Sequence, residues 1–78
     1  MASSALIAQG IDRRRAILRF VKKYVATHGF APSVEEITEG VGLSSKTATR
    51  HHLDVLKENG DVTWTPGKYR SLRLVPKA

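Results

Sequence analysis

The sequence predicts a mainly α domain closed by a small β-hairpin. Three observations predict it: stretches of helically spaced apolar residues, a glycine turn between the last two of them, and a switch to two-residue alternation after Gly60. The 78 residues suffice for one domain. At this size folding buries only ~60% of the open chain's surface, so the core is small and every element must add to it.

The opening residues, 1–10, read as a flexible arm. From Asp12 onward Ile17, Phe20, Val21, Tyr24 and Val25 follow the spacing of one buried helix face. Arg15, Arg19, Lys22 and Lys23 fall on the opposite face, and charge on an outer face needs no partner, so that face is expected to be solvated. Asp12 is the expected N-cap, and Gly29 the stop before Pro32. A second, short helix starts at Ser33, where Ser33-Val-Glu-Glu36 has the form of a capping box. Val34, Ile37 and Val41 form its buried stripe, and Gly42 follows, where a sharp turn requires positive φ.

The third helix is expected to be capped by Ser44 or Ser45 and to run to about Asn59, with Gly60 past its end. Thr49, His52, Leu53 and Leu56 cluster on one side; Thr47, Arg50, His51 and Asp54 cluster on the other. After Gly60, Val62 and Trp64 alternate with Thr63 and Thr65, and Leu72 and Leu74 alternate with Ser71 and Arg73. Pro66-Gly-Lys-Tyr-Arg70 between them is a turn with a basic tip. Such a hairpin is not stable alone, so its apolar residues must lie on the helices. The order is that of a three-helix winged helix-turn-helix, over residues 11–75, with 76–78 as a loose tail.

The formal net charge of +6 points to a polyanion partner. The chain contains no cysteine, hence neither a disulfide framework nor a thiolate metal site, which suits a cytoplasmic location. No apolar run is long enough to span a bilayer, and the N-terminus lacks the pattern of a signal peptide. Nothing suggests an enzyme: there is no glycine-rich phosphate loop and no acid–base pair, and no cofactor is expected. His51 and His52 point about 100° apart on a helix and lack a third ligand, so no metal is expected.

In this architecture the third helix enters the major groove of double-stranded DNA, and its first turns meet base edges. Arg50 can fork onto guanine, Lys46 can reach a phosphate or guanine, and Ser44, Ser45 and Thr47 can bond phosphate or base. The Ala48 methyl can meet a thymine methyl, and His51 can contact base or phosphate. Asp54 is expected to orient Arg50. Lys68, Tyr69 and Arg70 at the hairpin tip can follow the backbone or enter the minor groove. Ser33 reads both as a cap and as part of an anion site at the start of the second helix. Trp64 shares the parity of Val62 and reads as a packing residue.

Three blocks carry a resemblance. His28-Gly-Phe-Ala-Pro-Ser-Val-Glu-Glu-Ile37, Val41-Gly-Leu-Ser-Ser45 and His51-His-Leu53 resemble the H-G-F-P-P-S-x-x-E-I, V-G-L-S-S and H-H-L blocks of the LexA repressor family. The stretch from Gly60 through Pro66, Lys68 and Arg70 to Leu72-Arg-Leu74 resembles that family's wing in register. The resemblance covers about Arg13 to Leu74. It implies a winged DNA-binding domain, a dimer on a palindromic operator, and base contacts from Ser45, Thr47, Ala48, Arg50 and His51. The family's second half, a Ser–Lys self-cleaving peptidase and the main dimerisation module, has no counterpart in these residues; a homodimer is therefore expected on DNA, with weak or no dimerisation in solution. Two other functions fit the residues less well: an excisionase-like architectural DNA binder, and a winged helix used for protein–protein contact.

Overall fold

The computed structural model describes residues 2–76, and side chains from Gly10 onward. Its order is α1 (Ala2–His28), α2 (Val34–Val41), α3 (Lys46–Glu58), β1 (Val62–Thr63) and β2 (Arg73–Leu74). A 27-residue helix such as α1 is about 40 Å long, and the longest principal dimension of the molecule is 41 Å.

The first helix begins ten residues ahead of the expected Asp12 cap, so Asp12 lies inside it and the backbone of the expected arm is helical from Ala2. Ala5, Leu6, Ala8 and Gln9 are strong helix formers. They outweigh Gly10, whose penalty of about 1 kcal/mol does not suffice to end a helix already propagating. Met1 and the last two residues of the expected 76–78 tail lie outside the described residues.

Ile17 and Val21 are fully buried, with Leu18, Phe20 and Tyr24 partly covered. Val25, expected on the same face, is 40% exposed. The core ends a turn earlier, and Leu18 packs on it from the side instead. The chain then reverses at Gly29, whose φ is +79°, and Ala31 and Pro32 enter the core region.

The capping box at α2 forms in full. Ser33 Oγ accepts from the Glu36 amide at 3.1 Å, and the Ser33 amide donates to Glu36 Oε1 at 2.8 Å. Ile37 is completely buried. Gly42 ends the helix at φ +78°, and the Leu43 amide reaches back to the Thr38 carbonyl at 2.9 Å, which drives Leu43 into the core.

Two threonines fasten α2 to α3. Thr49 is fully buried, and its Oγ1 lies 2.6 Å from Thr38 Oγ1, which itself donates to the Val34 carbonyl at 2.7 Å. Each hydroxyl has one proton: with that of Thr38 on the Val34 carbonyl, Thr49 donates to Thr38, and with that of Thr38 on Thr49, the Thr49 hydroxyl donates to the Ser45 carbonyl 3.2 Å away. The result is a helix-turn-helix whose angle is held by a part-buried hydrogen bond as well as by Leu43, Leu53 and Leu56.

At the end of α3, Gly60 (φ +81°) donates to the Lys57 carbonyl and Asp61 to the Leu56 carbonyl, the paired bonds of a Schellman motif. β1 and β2 pair antiparallel, Val62 with Leu74 and Thr63 with Arg73. The strands are shorter than the alternation suggested. Beyond Thr63 the ladder gives way to a side-chain clamp in which Ser71 Oγ accepts from the Thr65 amide at 3.0 Å and donates to the Thr65 carbonyl at 3.1 Å. Val62 and Leu72 complete the core, and Trp64 and Leu74 pack at its margin. Among the described residues no helix is long and apolar enough to cross a membrane.

Candidate nucleic-acid interface

The third helix starts on an extended residue, Ser45, whose Oγ accepts from the Ala48 amide at 3.1 Å. Ser44 stands just outside, exposed on the turn. Because Thr49, Leu53 and Leu56 face the core, the intervening positions Thr47, Arg50, His51 and Asp54 are all exposed. Ala48, next to Thr49, is half-buried and presents only part of its methyl surface.

Arg50 makes no hydrogen bond or ion pair among the described residues, so its five donors are available to a ligand. The expected contact with Asp54 is not formed. On a helix the favourable order places the acid N-terminal to the base, and Arg50 precedes Asp54. Lys46 pairs instead with Glu35 at 3.3 Å, with both side chains more than half exposed. Such a pair is worth little in water, and a phosphate can displace it.

The wing tip is a turn in which the Lys68 amide donates to the Thr65 carbonyl at 3.1 Å. Pro66 at its second position and Gly67 (φ +77°) at its third are the residues of a type II turn. Lys68 and Tyr69 project outward, Tyr69 with 73% of its surface exposed.

Arg70 does not project. It takes positive φ (+56°), and its Nη1 donates to both the Ala31 carbonyl and Glu36 Oε1, each at 2.8 Å. The guanidinium also lies 4.8 Å from the Phe30 ring centre and 4.9 Å from that of Tyr69. The residue expected to reach for DNA thus fastens the wing to the body.

Ser33, Lys46, Arg50, Lys68, Tyr69 and Arg70 all line one groove of about 490 Å³ between the start of α2, the face of α3 and the wing. Ser33 Oγ is used as a cap acceptor, but its own proton remains free to donate toward that groove. Half-buried Trp64 forms part of the wall, with the Lys57 ammonium 4.3 Å from its ring centre. The arrangement can grip a polyanion between a helix and a loop while leaving Arg50 free to read.

Residues 10–71 match the family described as the LexA DNA binding domain. The chain belongs to that family. Among its relatives, the LexA repressor of Carboxydothermus hydrogenoformans is 40% identical over 63 residues, which is 81% of this chain and 31% of that protein. The LexA repressor of Bifidobacterium adolescentis is 41% identical over 64 residues, 82% of this chain and 25% of that one. That of Staphylococcus epidermidis is 41% identical over 63 residues, 81% of this chain and 31% of that one. The chain therefore spans about a third or less of the LexA repressors it matches.

In this LexA-type domain Glu36 has a role beyond capping. Its Oε2 accepts from the Tyr24 hydroxyl at 2.6 Å, while Oε1 accepts from the Ser33 amide and Arg70. One carboxylate joins α1, the α2 cap and the wing. Those three donors, Tyr24 first, then the Ser33 amide and Arg70, lower its pKa to about 2. The same bonds raise the pKa of Tyr24, which must give up a proton already held by Glu36, and that of Arg70. On the other side of the LexA domain, Arg14 Nη1 lies 3.4 Å from His52 Nδ1. Partial burial, then the charges of Arg14, His51 and Arg13, lower the pKa of His52 and favour the neutral ring. The capping motif announced one of Glu36's bonds; no local pattern announced the other two.

Proposed function

We propose that this LexA-type domain binds double-stranded DNA sequence-specifically and acts as a transcriptional repressor, with α3 in the major groove and the 66–70 wing on the backbone or in the minor groove. The observation that carries it is the free, exposed Arg50 on the outward face of a helix held to α2 by the part-buried Thr38–Thr49 bond. A reading side chain needs both a free fork and a rigid mount. Ser44, Ser45, Lys46, Thr47 and His51 flank it along the first turns, with part of the Ala48 methyl between them. Lys68 and Tyr69 give the wing its DNA-facing groups, Ser33 donates to a phosphate, and Arg70 acts by holding the wing in place. Two copies meet a palindromic operator with half-sites on one face of the duplex, associating there with weak or no dimerisation in solution. Such a role places the work of the domain in the cytoplasm, on the chromosome.

Selection of duplexes from a random pool at physiological salt tests this. An inverted repeat with half-sites about one helical turn apart is the expected outcome. Direct repeats, or enrichment of merely flexible sequence, would instead establish an accessory, DNA-bending protein. No enrichment would leave a protein-contact module, for which Arg50→Glu would not alter the residual DNA affinity.

A further inference from the structure

The charge is not where the reading face is. α1 carries six cations and one acid, whereas α3 carries three cations and two acids. Arg15, Arg19, Lys22 and Lys23 are all exposed, and none makes an ion pair among the described residues. At 100° per residue these four fall on one outward stripe of α1, and from Arg15 to Lys23 they span about 12 Å. Neighbours at i, i+4 such as Arg15 and Arg19, or Arg19 and Lys23, repel each other along the helix. Exposed Asp12, the one acid of α1, lies on the same stripe a turn before Arg15, and Asp61 lines a depression beside Arg19 and Lys22, so the stripe carries four cations to one acid along the helix.

α1 and α3 turn their inner faces, Ile17 and Val21 on one and Thr49, Leu53 and Leu56 on the other, to the same core. Their outward faces therefore look out from different sides of the molecule. We propose that the outward face of α1, through Arg15, Arg19, Lys22 and Lys23, is a second phosphate-binding surface that holds a second segment of duplex DNA while α3 occupies the first. The smallest principal dimension of the molecule is 24 Å. That exceeds the ~8 Å Debye length at physiological salt, so the solvent around the body screens repulsion between duplexes held that far apart. An anionic membrane is the poorer match, since a surface-lying helix needs an apolar face to insert, and Ile17 and Val21 of α1 are committed to the core. The inference goes beyond the proposed repressor function and stands on different residues.

The test is a bridging assay. One duplex is fixed on beads, the domain is added, and capture of a second, fluorescent duplex is followed across a salt series. The wild type captures it. The quadruple variant Arg15→Gln, Arg19→Gln, Lys22→Gln, Lys23→Gln binds the fixed duplex with unchanged sequence preference but loses at least tenfold of the capture. With four phosphates released, the logarithmic salt slope of capture flattens by roughly 3–4 units. Arg15→Lys with Arg19→Lys, which keeps the charge, captures like the wild type. Absence of capture by the wild type overturns the proposal, as does a quadruple variant that bridges equally well, for then two copies joined elsewhere would explain the result. Tighter binding of the wild type to phosphatidylserine vesicles than to duplex, lost in the same variant, overturns it in favour of a lipid surface. Failure of the α3 reading shows separately: Arg50→Ala with Lys68→Ala would then leave binding of the fixed duplex unchanged.

Discussion

Three cations around the wing groove have three different roles, and substitution separates them. Arg50 is free and mounted on a rigid helix, so Arg50→Ala should cost about 1–3 kcal/mol on the selected site and relax the preference at one base pair. Titration against single-base variants of that site measures both. The Lys68 ammonium contacts no protein acceptor among the described residues; Lys68→Ala should weaken binding to all duplexes alike, flatten the logarithmic salt slope by roughly one unit, and leave the melting temperature unchanged. Arg70→Ala should also weaken binding to every duplex, but it should lower the melting temperature as well, because Ala31 and Glu36 lose their shared donor. Arg70→Lys should not restore it: an ammonium lacks the planar fork that bonds and stacks at once. In the sequence Lys68 and Arg70 look like twins on a basic tip. Nothing local marks Arg70 for positive φ, and its hydrogen-bond partners Ala31 and Glu36 lie more than 30 positions away, so its inward turn was illegible.

At the scale of the elements, the caps were the legible part. The capping box at Ser33, the left-handed Gly42 and the stop at Gly60 all follow from residue types that serve few other purposes. The start of α1 was not legible because Asp12 is as good a cap as any, and only propagation through Gly10 overrules it. A second illegible feature is the contact of Gly40 with Phe20. A Cβ at Gly40 would overlap the Phe20 ring. Helix propensity alone would have Gly40→Ala stabilise α2 by about 1 kcal/mol. The ring should reverse that sign and make the substitution destabilising by about 1–3 kcal/mol, as overpacking does. Urea denaturation decides between the two. In Phe20→Leu, where the ring is gone, the same alanine should be neutral or better, which a double-mutant cycle would show as coupling between the positions.

For the molecule as a whole, Glu36 and His52 set the response to acid. The Glu36 carboxyl is held at about 2 in the folded chain against an ordinary 4.5, so the unfolded chain takes up the proton first. Its contribution is complete above about pH 4.5 and is lost as pH falls toward 2. The folded pKa of His52 is likewise depressed from 6.5, so protonation of the unfolded chain already erodes stability as pH drops below that value. Stability measured by urea from pH 7 to pH 3 should therefore fall in two stages, the first flattened by His52→Gln and the second by Glu36→Gln. Only the identity of the acid at the capping position was visible beforehand; the convergence of helix, cap and wing on it depends on packing between distant segments. The separation of faces on α3 has a last consequence. Core positions Thr49, Leu53 and Leu56 share no residue with outward Thr47, Arg50, His51 and Asp54, so the outward four are free to drift under selection without endangering the fold. A library randomised at those four codons should yield mostly folded proteins with divergent targets, making the domain a scaffold for evolving new addresses on DNA.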